Sequence, residues 1–133
     1  MERTLVISSS LGNNSKVLSF LEEIFADSNL DRSYFNPVFL GLSEALNNSI
    51  VHGNKLNASK KISIKVICLK KELLIEVTDE GEGFLFDSVQ DPTCIENLKN
   101  ENGRGIFLIR HFADELDYLD GGRKVRIKYN LNR

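Results

Sequence analysis

The spacing of apolar residues changes several times along the chain, and each change marks an element. Residues 4–8 are short and rich in β-branched side chains, which predicts a first strand that stops in the Ser8-Ser9-Ser10-Leu11-Gly12 stretch. Val17, Leu18, Leu21, Ile24 and Phe25 then recur at the spacing of one helix face, with Lys16, Ser19, Glu22 and Glu23 opposite. They predict an amphipathic helix over residues 14–27. A second helix is predicted from about Asn36-Pro37, because Asn can cap and Pro suits the first helical position, although the start could lie several residues earlier. It runs to His52, with Phe39, Leu42, Leu46 and Ile50 as its core stripe and Gly53 as a left-handed stop.

From residue 60 the period falls to two. Ile62, Ile64, Val66 and Cys68 alternate with Ser63, Lys65 and Ile67, and Leu73, Ile75 and Val77 alternate with Leu74, Glu76 and Thr78. This predicts two antiparallel strands joined at Lys70-Lys71-Glu72, the second stopping at Asp79. Residues 80–104 hold Gly81, Gly83, Pro92 and Gly103 with little periodicity, which predicts a long loop. Ile106, Phe107, Leu108, Ile109 and Phe112 predict a buried helix opened by Gly103-Arg104-Gly105. The chain closes with a predicted hairpin, residues 115–119 and 124–131 around Asp120-Gly121-Gly122. The order β, α, α, β, β, loop, α, β, β predicts an α+β fold: a two-layer α/β sandwich whose mixed, mostly antiparallel sheet carries helices on one face.

Length and composition narrow the setting. At 133 residues the chain fits a single domain over 1–133, and 41% hydrophobic with 27% charged residues excludes a disordered or low-complexity chain. A formal net charge of -2 gives no basis for nucleic-acid or anionic-membrane binding. Cys68 and Cys94 have no neighbouring Cys/His cluster, so both are expected as reduced thiols. The Leu5-Val6-Ile7 run is too short for a signal-peptide core or a membrane span, and a cytoplasmic location is the expectation.

Three segments carry candidate chemistry. Glu44, Asn48 and His52 stand at i, i+4 and i+8, which places them in one row along the second helix, with Gly41 close to that row. Asp79-Glu80-Gly81-Glu82-Gly83-Phe84 comes directly after a strand; its glycines would let backbone approach a flat ligand, and its aspartate can accept from an exocyclic amine. Asn102-Gly103-Arg104-Gly105 enters an apolar helix and could cradle phosphate with backbone N–H groups. Taken singly, each also has an ordinary structural reading: a solvated helix face, a glycine turn, a loop before a helix.

Together, in this order and on these elements, the segments are far more specific. Glu44 to Asn54 (ExxxNxxxHGN), DEGEGF and NGRG resemble the N, G1 and G2 boxes of the ATPase superfamily that includes gyrase B, Hsp90, histidine kinases and MutL, and so imply a Bergerat-type, histidine-kinase-like ATPase fold. Within that superfamily SEALNNSIVHGN, Asp91-Pro92-Thr93 and GRGIFLIRHFADEL look most like the anti-sigma factor serine kinases of bacterial partner-switching systems.

The resemblance implies ATP and Mg²⁺ as cofactors. Glu44 would be the general base for an attacking hydroxyl, and Asn48 would hold the Mg²⁺ that bridges the phosphates. Asp79 would accept from the adenine amino group, with Gly81 and Gly83 lining the base pocket. Residues 85–102 would form a lid, and Gly103, Arg104, Gly105 and Ile106 would meet the phosphates. His52 would reach the lid or phosphates, or else stabilise the helix dipole. Asn47 stands where relatives often have threonine, and the spacing from Glu44 favours Asn48 for the metal. The partners implied are a sigma factor and a STAS-type anti-anti-sigma protein phosphorylated on serine, with this chain as a homodimer. A nucleotide-gated binding module without phosphotransfer is the alternative, and Glu44 favours chemistry over it. A sensor histidine kinase ranks last, because the chain lacks room for dimerisation helices that carry an acceptor histidine.

Overall fold

A computed structural model describes residues 1–54, 57, 59–81 and 113–131. Strand β1 spans Glu2–Ser8 and leads to helix α1, Asn14–Asp27, and helix α2, Phe35–Asn48. Strands β2 (Lys61–Cys68) and β3 (Glu72–Asp79) form a hairpin, and β4 (Glu115–Leu119) and β5 (Lys124–Asn130) form another. The sheet order is β1-β2-β3-β5-β4. Every ladder among these strands is antiparallel, so the described sheet is antiparallel rather than mixed. The expected α+β sandwich is present.

Period-two patterning decides which sheet face is buried. Ile62, Ile64 and Val66 of β2, Leu73, Ile75 and Val77 of β3, and Ile127 of β5 are fully buried and share a core with both helices. Each such side chain contributes about 1.5–3 kcal/mol when removed from water. The opposite face is charged. Register aligns Lys65 with Glu76, Glu76 with Arg126 and Arg126 with Asp117, so signs alternate across four strands. Glu76 lies 3.5 Å from both Lys124 and Arg126, and Lys128 lies 3.3 Å from Glu72. Cross-strand opposite charges stabilise modestly and keep this face polar.

Helix α1 has the predicted bounds, but Leu18 lies on its exposed side, and Val17, Leu21, Ile24 and Phe25 form the buried stripe. Helix α2 begins earlier than Asn36-Pro37. The Asp31 carboxylate accepts from the Ser33 N–H at 2.9 Å and caps the short turn Arg32–Tyr34 that leads into it. The Arg32 guanidinium reinforces this entry: it donates to both Glu22 carboxylate oxygens at 2.8 and 3.2 Å and lies 4.4 Å from the Phe35 ring centre. Pro37 therefore sits in the first turn, where its missing N–H removes no helical bond. The core stripe of α2 is Phe35, Val38, Leu42, Ala45 and Leu46, continued by Ile50, while Phe39 is half-buried and stacks on Phe35.

The end of α2 departs from expectation. Ser49–Gly53 forms a π turn, closed by the Asn54 N–H donating to the Ser49 carbonyl at 2.8 Å. Gly53 falls inside this turn, and the residue that ends it is Asn54, in right-handed conformation at φ -87°. Among the described residues the left-handed glycines are Gly121 and Gly122, at φ 67° and 93°, where the β4–β5 hairpin reverses. Cys68 is buried and forms no disulfide among the described residues. Among the described residues no helix is long and apolar enough to cross a membrane. Cys94, the 85–102 segment and the helix predicted near residue 106 lie outside the described residues.

Candidate nucleotide site

Of the candidate residues, Asn48 stands at the end of α2 and Asp79 at the end of β3, where the turn after α2 packs against β3. Asp79 is the last residue of β3 and occupies the row of Ile7 and Ile62, so it points to the apolar face beneath the helices. It is only 5% exposed. Its Oδ1 accepts from the Gly81 N–H at 2.8 Å, a tight turn that glycine adopts easily. Its Oδ2 is buried and has no partner among the described residues. Burial pushes the Asp79 carboxyl above the ordinary carboxylate value, while the Gly81 hydrogen bond and the charges of Arg123 and Lys60 pull part of the way back.

On α2, Asn48 is 2% exposed and its Oδ1 is likewise buried without a partner among the described residues. Glu44 stands one turn earlier, about 6 Å along the axis, and is half-buried. Asn48 is enclosed, whereas Glu44 keeps partial exposure. The α-helical register that aligns Glu44 with Asn48 ends at Asn48, because the π turn begins at Ser49. His52 lies within that turn and is not placed by the i+8 spacing.

Buried polar atoms in folded proteins nearly always have partners; three oxygens lack one among the described residues, Ser9 Oγ, Asn48 Oδ1 and Asp79 Oδ2, and the last two, on neighbouring elements that the motifs single out, point to something that completes them. An amide oxygen is a hard donor suited to Mg²⁺, which commonly takes one or two protein ligands with phosphate and water supplying the rest. The Asn48 Oδ1 fits that part. A carboxylate oxygen is an acceptor only, and the Asp79 Oδ2 fits an amino group on a flat heterocycle. The described residues therefore suit a nucleotide with its metal. Gly83, Gly103, Arg104, Gly105 and Ile106 lie outside the described residues.

Three polar side chains to which the motifs assign no role also meet at this end of the sheet. Asn54 is 1% exposed: its Nδ2 donates to the Lys61 carbonyl at 3.1 Å and its Oδ1 accepts from the Glu80 N–H at 2.9 Å. Glu80 accepts from the Lys61 N–H through its carboxylate. Asn13 donates to the Ser8 carbonyl at 2.8 Å and holds the start of α1 against the end of β1. Their sequence signal is weak, since Asn beside a helix end and Glu after a strand read as ordinary loop residues.

Comparison with known proteins places this geometry among relatives. Residues 7–129 match the histidine kinase-like ATPase domain. An anti-sigma F factor of Clostridium botulinum (strain Eklund 17B / Type B) is 31% identical over 102 residues, 73% of this chain and 71% of the relative. An anti-sigma F factor of Clostridium perfringens (strain 13 / Type A) is 29% identical over 96 residues, 68% of this chain and 69% of the relative. The serine-protein kinase RsbW of Bacillus subtilis (strain 168) is 29% identical over 83 residues, 58% of this chain and 52% of the relative.

Proposed function

Because the chain belongs to the histidine kinase-like ATPase family, we propose that it binds ATP with Mg²⁺ where α2 meets the end of β3 and transfers the γ-phosphoryl group to a serine of a partner protein. The observation that carries this reading is the pair of buried oxygens, Asn48 Oδ1 and Asp79 Oδ2, that have no partner among the described residues. They divide the work. The Asp79 carboxylate accepts from the adenine amino group, and Gly81, whose N–H already bonds to Asp79 Oδ1, leaves room for the ring. Asn48 holds the metal, which when bound offsets the charge on the phosphates. Glu44, one turn before Asn48 and half-buried, accepts the proton of the incoming serine hydroxyl as that oxygen bonds to phosphorus and ADP departs.

The relatives' names direct the choice of partner. Two are anti-sigma F factors and one is a serine-protein kinase, which supports a sigma factor and a serine-phosphorylated protein as partners; by resemblance to the partner-switching kinases the reading extends to a homodimer and to a STAS-type antagonist. The decisive experiment incubates the protein with γ-labelled ATP, Mg²⁺ and the candidate antagonist, alongside Glu44→Gln. The variant should keep ATP affinity within about twofold while phosphotransfer falls about 10²- to 10⁴-fold, the usual loss when a general base is removed. Wild-type protein that binds ATP yet labels no antagonist would favour a nucleotide-gated binding module. Equal loss of binding and transfer in Glu44→Gln would make Glu44 a structural residue.

A further inference from the structure

The β2–β3 ladder ends at the Ile62–Asp79 pair. At the next position, Lys61 opposite Glu80, side chains stand in for backbone pairing. The Lys61 carbonyl accepts from Asn54 Nδ2, the Glu80 N–H donates to Asn54 Oδ1, and the Lys61 N–H donates to the Glu80 carboxylate. The amide of Asn54 is thus wedged between two strands whose own groups would otherwise meet. Its backbone closes the π turn on Ser49 at 2.8 Å, and Asn57 donates back to its carbonyl at 3.0 Å. Single π turns inside or at the end of α-helices recur at functional sites.

We propose that Asn54 is a positioning residue for the base-binding carboxylate: wedged between Lys61 and Glu80, it fixes the end of β3, and so Asp79, against the helix that carries Asn48 and Glu44. This rests on the ATP-site reading. A buried amide that satisfies one carbonyl and one N–H on two strands allows one height for its neighbour Asp79, since each bond weakens steeply with misalignment. Past the Ile62–Asp79 pair the chain leaves the ladder and the Gly81 N–H donates back to Asp79 Oδ1, while Oδ2 has no partner among the described residues and is available to a ligand. Asn54 touches neither nucleotide nor metal in this scheme. Its influence passes through Asp79 alone.

The test is a double-mutant cycle read by nucleotide affinity, with ATP and GTP titrated separately against wild type, Asn54→Ala, Asp79→Asn and the double variant. Asn54→Ala should raise the Kd for ATP about tenfold, the usual scale for losing a residue that orients a ligand-binding group, and should narrow the preference over GTP. In the Asp79→Asn background the same change should shift the Kd less than about twofold, because the group it positions is gone. Amide exchange adds a nucleotide-free readout: the Glu80 N–H, protected by Asn54 Oδ1, should exchange faster in Asn54→Ala. If that variant does not fold, Asn54→Asp replaces it, keeping the acceptor for Glu80 while setting a carboxylate against the Lys61 carbonyl. Additive effects in the cycle, an unchanged ATP-to-GTP preference, or failure of both variants to fold would make Asn54 a purely structural pin and overturn the proposal. A wild type that binds ATP, with binding impaired by Asp79→Asn, keeps the site reading standing in each of those cases. A wild type that binds no adenine nucleotide overturns the site reading and this one together.

Discussion

Asp79 shows how a single residue can trade stability for recognition. Its row across the ladders is isoleucine and its Oδ2 has no partner among the described residues, so keeping it ionised costs the folded protein free energy. Burial raises its carboxyl above the ordinary value of 3.8. Between that ordinary value and the raised native one, the folded protein holds a proton that the unfolded chain has released. Stability contributed by Asp79 is therefore greatest below this window and falls as pH rises through it, while ATP affinity, which needs the ionised acceptor, rises. Asp79→Asn should flatten both slopes, raise stability at neutral pH by about 1 kcal/mol and weaken the preference for ATP over GTP. Urea denaturation and nucleotide titration across mildly acid pH measure both; an Asp79→Asn protein that is less stable at neutral pH and keeps full base preference would contradict the assignment.

Among elements, α1 shows how finely a helical stripe must be read. Leu18 and Leu21 both belong to the apolar pattern, yet Leu18 is 39% exposed and Leu21 is fully buried beside Phe25 and Ile24. A stripe of five apolar residues spans more arc than the sheet covers, so one flank faces water. Leu21→Ala should lower stability by about 2–5 kcal/mol, the range for deleting a buried leucine side chain. Leu18→Ala should change it by about 0.5 kcal/mol or less, as surface substitutions do. Denaturant midpoints with unchanged slopes would establish the contrast, and equal midpoints for the two variants would refute the packing of α1. Helix α2 carries the same lesson one step further, because Val38 takes the fully buried place that the pattern gave to Phe39.

At the scale of the molecule, the charge distribution bears on partner exchange. From Glu80 to Glu96 the sequence has five acidic residues and no lysine or arginine, whereas Glu72 and Glu76 before it lie against Lys128, Lys124 and Arg126. A phosphate newly placed on an antagonist docked beside this stretch adds about 1.5 to 2 negative charges close to like charges. Phosphorylated antagonist should thus leave, and the sigma factor should take its place, with exchange governed by the ATP-to-ADP ratio. A pull-down at fixed nucleotide load should retain the unmodified antagonist and lose the phosphorylated form, and the difference should shrink as salt is raised. Equal retention of both forms would end the switching model while leaving the nucleotide site intact.

Periodicity alone determined the elements: the 14–27 helix, the two hairpins and the inward row of isoleucines and valines arise from spacings of 3.6 and 2, because burying one face is the dominant local demand. Motif order singled out Glu44, Asn48 and Asp79 as candidates, and the proposed site is built on them. Long-range hydrogen bonding decided the features that spacing left open. The early start of α2 depends on the Asp31 cap and on Arg32 reaching back to Glu22. Its late end depends on Asn54 finding Lys61 and Glu80, 7 and 26 residues away along the chain. The Asn54 bonds require β2 and β3 side by side with the end of the helix above them. Spacing along the chain could place Asn48 and Asp79 on their elements; only the closed tertiary structure could bring those elements together and bury one oxygen of each with no partner among the described residues.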